Sequence, residues 1–162
     1  MKELFLQSLA EAKRQSEANK IANREFSCTL DELNSSISEY VGIEGIKLIR
    51  SPQLEEQSKD PYQLVSSLAA NMGRHVRKHT GWYECSLSDG RDGSKNETSK
   101  PLFLYKKSDN VYPIMIKSRD NSWSCYDQES VANTLAEIVA DPHTFNIIVR
   151  FAQKITDLTD KP

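Results

Sequence analysis

The chain reads as an α+β domain: N-terminal helices, then a central antiparallel β-meander of about four strands, then two C-terminal helices packed on the sheet. Three observations predict this. Apolar residues recur at helical spacing in the first and last thirds of the sequence. Between Trp82 and Tyr126 the pattern shortens to strand-like runs. Turns of only a few residues, such as Ser108-Asp109-Asn110 and Arg119-Asp120-Asn121, join those runs, which makes successive strands antiparallel neighbours. At 162 residues with no repeat and no linker, the expected organisation is one globular domain over 1–162. Its mobile loop is placed at about 88–100 and its frayed C-terminus at about 157–162.

The elements follow in order. A first helix is expected from Lys2 to about Asn23, with Leu4, Phe5, Leu9 and Ala12 on one face. Its stripe then thins to Ala18, Ile21 and Ala22. The middle of this helix is therefore solvated or held by a partner, and a homodimer contact is compatible with it. A second helix is expected to start at Thr29, which forms a capping box with Glu32. Leu30, Leu33, Ile37, Tyr40 and Val41 make its apolar face, and Gly42 and Gly45 end it. Ile46 to Arg50 reads as a short strand and Ser51 to Lys59 as a loop.

Asp60, Pro61 and Gln63 mark the start of a third helix. Its buried side would carry Tyr62, Val65, Leu68, Ala69, Met72 and Val76, with Gly81 just past its end. Strands are expected at Trp82–Leu87, Leu102–Tyr105, Val111–Lys117 and Ser122–Tyr126. Pro113 places the third of these at an edge or a bulge. The next helix starts at Asp127 or Ser130 and buries Val131, Leu135, Ile138 and Val139. Asp141-Pro142 starts the last, whose stripe is Phe145, Ile148, Phe151, Ala152 and Ile155.

Composition bounds the function classes. Hydrophobic residues at 38% and charged residues at 27% describe a soluble globular chain. No apolar run approaches the roughly 18 residues of a membrane span, so no membrane partner is expected. The first residues carry Glu3 and Glu11 and lack a secretory apolar core, which points to the cytoplasm. Cys28, Cys85 and Cys125 are odd in number and unpaired by spacing, so they read as reduced thiols. Cys85 and Cys125 both fall in strand-like segments, where they could be neighbours in space.

No catalytic constellation emerges, and neither a cofactor nor a metal is called for. His75 and His79 could share a helix face, with Cys85 nearby, but Arg77 and Lys78 would repel a cation. A thiolate at Cys85 activated by one of these histidines is the least weak nucleophile. Gly42-Ile43-Glu44-Gly45 has the spacing of a nucleic-acid backbone clamp, but Glu44 would repel phosphate, so it reads as a helix stop. The glycine-rich Asp89 to Lys95 lacks the phosphate-loop pattern and reads as a hairpin loop.

What remains is the sorting of charge within a chain of formal net charge −2. Glu25 to Gly45 holds five acids and no Lys or Arg. Asp31, Glu32, Glu39 and Glu44 can form a negative docking face for a basic protein, with Trp123 and Tyr126 as aromatic anchors. The expected function is a non-enzymatic, protein-binding inhibitor or immunity-type factor in the cytoplasm. The alternative is a nucleic-acid-associated regulator that uses Arg74, Arg77, Lys78 and Trp82, where cations mix with aromatics.

Overall fold

A computed structural model describes residues 1–56, 78–91 and 96–160 of the chain. The expected third helix, with Arg74, His75 and Arg77, lies outside these residues. The described elements are helix α1 (Lys2–Val41), strands β1 (Lys47–Leu54), β2 (His79–Ser88), β3 (Phe103–Ser108), β4 (Val111–Ser118) and β5 (Asn121–Cys125), and helices α2 (Gln128–Ala140) and α3 (Pro142–Thr159). This is an α+β fold. The strands form one antiparallel sheet in the order β1-β2-β3-β4-β5. None of the described helices is long and apolar enough to cross a membrane.

The first two expected helices are one. No Gly or Pro interrupts Lys2 to Val41, so nothing in the backbone forces a stop. Thr29 is not a cap. It is buried mid-helix, and its hydroxyl donates to the Glu25 carbonyl at 2.9 Å. The true end is Gly42, in the left-handed region at φ 68°, whose N–H donates to the Ser38 carbonyl.

Only the second half of α1 packs on the body. Ala22, Phe26, Leu30 and Ile37 are buried, and every residue from Met1 to Ala18 is exposed. At some 1.5 Å rise per residue, those 18 residues project by roughly 27 Å.

The short strand expected at Ile46 to Arg50 is β1; it pairs with β2 as the fifth strand of the sheet and runs on to Leu54, through a stretch whose polar residues read as a loop. An edge strand tolerates such residues, and Pro52 fits there because an edge position demands fewer N–H donors. Gly81 is not a helix stop but lies within β2 at φ 87°. Between Pro52↔Tyr83 and Leu54↔His79 the register shifts, and Gly81 supplies the left-handed residue that this bulge requires. Pro113 sits on β4, an inner strand, beside a register shift where β3 meets β4, so the bulge reading holds and the edge reading does not.

The core lies between the helices and one face of the sheet. Cys85, Leu87, Phe103, Tyr105, Ile114, Ile116 and Cys125 point into it, and Phe26, Leu30, Val131, Leu135 and Ile138 meet them. Cys85 and Cys125 stand on β2 and β5, with β3 and β4 between them, so they are not neighbours.

Helix α2 packs against β4, β5 and α1, and α3 docks mainly through α2 and α1. Both begin as their sequences demand. Asp127 accepts from the Ser130 N–H at 2.7 Å while the Ser130 hydroxyl accepts from the Asp127 N–H at 3.1 Å. Asp141 accepts from the His143 N–H at 3.1 Å, one residue past Pro142.

Two glycine turns meet at one end of the sheet. A Cβ on Gly90, at φ 69°, would stand 2.6 Å from the Gly45 carbonyl oxygen, a backbone atom that cannot swing aside. Gly90→Ala therefore combines left-handed strain with a clash and should cost about 2 kcal/mol, read by urea unfolding. A loss below a few tenths of that would mean that this contact is looser than it looks.

Candidate functional site

Helix α1 carries Glu32, Ser36 and Glu39 at i, i+4 and i+7, hence on one side. Both carboxylates are exposed, and the Ser36 hydroxyl is satisfied within the helix by the Glu32 carbonyl at 2.8 Å. Next to this row the helix turns an apolar edge outward. Leu33, Ile37 and Tyr40 of α1, Val139 and Ala140 at the end of α2, and Phe145 and Ile148 at the start of α3 line a groove of about 280 Å³. Ser36 and the phenol of Tyr40 are the hydroxyls in its wall.

Tyr40 and Phe145 form its lip, with ring centroids 5.8 Å apart at 66°, an edge-on contact. Tyr40 is 70% exposed and Phe145 38%. Both rings thus leave apolar surface facing water at the mouth of the groove. The sharp helix–helix joint at Asp141-Pro142 creates it: α2 stops at Ala140, α3 leaves in a new direction, and the space between them and α1 stays unfilled.

The acidic residues expected at the site are on the surface. Asp31 is exposed on α1, about 100° around the helix from Glu32, and Glu44 is exposed in the turn beyond Gly42. The anchors differ. Trp123 is half-buried, packed against the core on the sheet face shared with Ile116. Tyr126 is 70% exposed, but it precedes the N-terminus of α2, whereas the groove lies at that helix's C-terminus. The structure thus brings Glu32 and Glu39 together beside Tyr40 and Phe145, and leaves Trp123 and Tyr126 elsewhere. Tyr40 was legible only as part of an apolar face, and Phe145 only as part of a core stripe.

Of the basic segment, Lys78 and Trp82 are described. Lys78 is exposed, and its carbonyl accepts from the Glu55 N–H at 2.8 Å. Trp82 lies on the sheet face opposite α1, α2 and α3, and the Lys117 ammonium sits 4.2 Å from its ring centroid. That cation occupies one face of the indole, the surface a stacked base would need. His79 belongs to β2 rather than to a helix, and its ring meets Tyr83 edge-on at 5.0 Å.

The thiols are unlike one another. Cys28 is exposed on α1, and Cys85 and Cys125 are buried. Burial pushes the Cys85 thiol from 9.0 to about 12, against a smaller downward pull from Arg50. A thiol so held stays protonated, the reverse of what nucleophilic activation requires. Among the described residues, no three His, Cys, Asp or Glu side chains gather as metal ligands.

Comparison with protein-family models, with curated proteins and with solved structures finds no match to this chain.

Proposed function

We propose that this chain is a protein-binding factor of the small inhibitor or immunity type, acting in the cytoplasm, and that its docking site is the Tyr40–Phe145 groove with its Glu32 and Glu39 border. The observation that carries the reading is the coincidence, at one place, of an apolar groove, two outward aromatic rings and an acidic rim. Apolar anchors supply the energy of such contacts, and a charged rim sets association rate and partner choice. The fitting partner presents an amphipathic helix whose apolar stripe is flanked by Lys or Arg. Asp31 and Glu44 extend the negative field without lining the groove.

The test uses a synthetic amphipathic helical peptide with a Leu stripe and Lys flanks as the probe. It should bind, and Tyr40→Glu should abolish binding by placing a charge in the apolar lip. The double variant Glu32→Lys/Glu39→Lys should slow association about tenfold at low salt, with the difference shrinking as salt screens the rim. Binding untouched by Tyr40→Glu, or no binding at all, would overturn the groove as the docking site.

A further inference from the structure

The projecting half of α1 has the chemistry that this groove calls for. Leu4, Phe5 and Leu9 are 62%, 61% and 67% exposed, and Ala12 continues their stripe. Among the described residues, no part of the same chain covers them. Lys13 and Arg14 follow this stripe directly; Met1 to Ala18 as a whole is balanced, with Lys2, Lys13 and Arg14 against Glu3, Glu11 and Glu17, and Arg14 meets Glu11 at 3.3 Å. The other half of the same helix and its following turn, Glu25 to Gly45, carries five acids and no cation. One unbroken helix thus carries an apolar stripe closed by Lys13 and Arg14 at its solvated end and an acid-rimmed apolar groove at its packed end.

From this we infer that the partner is a second copy of this chain, with the N-terminal stripe of each α1 seated in the Tyr40–Phe145 groove of the other. The inference rests on the groove being a docking site, as proposed above. Two complementary patches at opposite ends of one helix satisfy a two-fold axis: each copy donates a stripe and receives one, and the two α1 helices run antiparallel. The arrangement closes on itself, so it ends at a dimer. It sets Lys13 and Arg14 of each copy against the Glu32 and Glu39 side of the other, a pairing of opposite charge. Parallel pairing would instead set the two acidic halves side by side and leave both grooves open.

Sedimentation velocity of the full chain over a range from low micromolar to submillimolar concentration tests this. A concentration-dependent dimer is expected. Glu32→Lys/Glu39→Lys and Lys13→Glu/Arg14→Glu should each weaken it at least about tenfold, since each opposes like charges at both contacts. Mixed in equal amounts, the two variants should form a heterodimer, because every contact then joins opposite signs again. Neither variant touches a core residue, and circular dichroism checks that each is folded. A monomer throughout, or a mixture that stays monomeric, overturns the self-pairing. A monomer that still binds the Leu/Lys peptide keeps the groove reading and loses only the second copy. A dimer indifferent to Tyr40→Glu places the contact away from the groove and overturns the inference as well.

Discussion

Phe26→Ala should destabilise the domain by about 3–5 kcal/mol, the range for deleting a fully buried aromatic side chain. Phe26 has no exposed surface, and it is where the long helix is fastened to the sheet. Its ring lies 4.9 Å from that of Tyr105 on β3, tilted by 56°, and Tyr105 stacks in turn on Tyr83 of β2 at 5.3 Å. Lys107 also stands over the ring, its ammonium 4.9 Å from the Phe26 centroid and donating to the Asn23 side chain at 2.6 Å. Burial, with Arg50 nearby, lowers the pKa of that lysine, as a cation tucked against a ring would have it.

Removing the ring strips partners from all of these and leaves a cavity under an element whose anchors farther toward its N-terminal end are the small Ala22 side chain and the Asn23–Lys107 hydrogen bond. Urea unfolding measures the loss. Phe26→Leu, which keeps much of the volume, should recover more than half of it. A change under about 1 kcal/mol for Phe26→Ala would mean that α1 is held by its C-terminal turns alone, through Leu30 and Ile37. The projecting stripe would then swing about a weaker pivot.

The sequence carried the order and type of the described elements because their signals are local. Asp127 with Ser130 and Asp141 with Pro142 mark helix starts by hydrogen bonds that span three residues or fewer. The meander was legible for the same reason: Ser108–Asn110 and Arg119–Asn121 are turns too short for anything but a hairpin.

What misled was the polar stretch from Lys13 to Arg24. It reads as a break in an amphipathic helix, whereas the helix has simply left the body and has no apolar face to maintain. Thr29 and Glu32 have the spacing of a capping box, but the box needs a chain entering from outside the helix, and here the helix was already under way. The strand beyond Arg50 escaped notice because an edge strand with one solvated side needs few apolar residues. The groove was beyond reach for a different reason. It is a gap between three elements, and Tyr40 and Phe145 are 105 positions apart in the chain. No periodicity records that two residues assigned to separate cores stand side by side at the surface.

Stability should fall steeply as the pH rises above 9, and Cys85 is the main cause. In the unfolded chain its thiol ionises near 9.0, whereas in the fold burial among Leu87, Phe103 and their neighbours carries it to about 12. The folded state thus holds a proton that the unfolded state gives up. Below pH 9 both states are protonated and the group contributes its full share. Between 9 and 12 each step in pH favours unfolding, up to a total of about 4 kcal/mol for this single thiol. Tyr105, packed beside it, is pushed from 10.0 to about 12, chiefly by burial, and adds a smaller contribution because its rise is smaller.

Urea unfolding from roughly pH 8 to 11 should show the decline, and Cys85→Ala should flatten most of it while lowering stability near neutrality by about 1 kcal/mol or more. Alkylation gives an independent reading. The exposed Cys28 should react at mildly alkaline pH in the native protein, and Cys85 only after unfolding. A stability curve level across that range, or a Cys85 that labels as fast as Cys28, would show the β2 thiol in contact with water. Catalysis by that thiol would then return as a rival to protein binding.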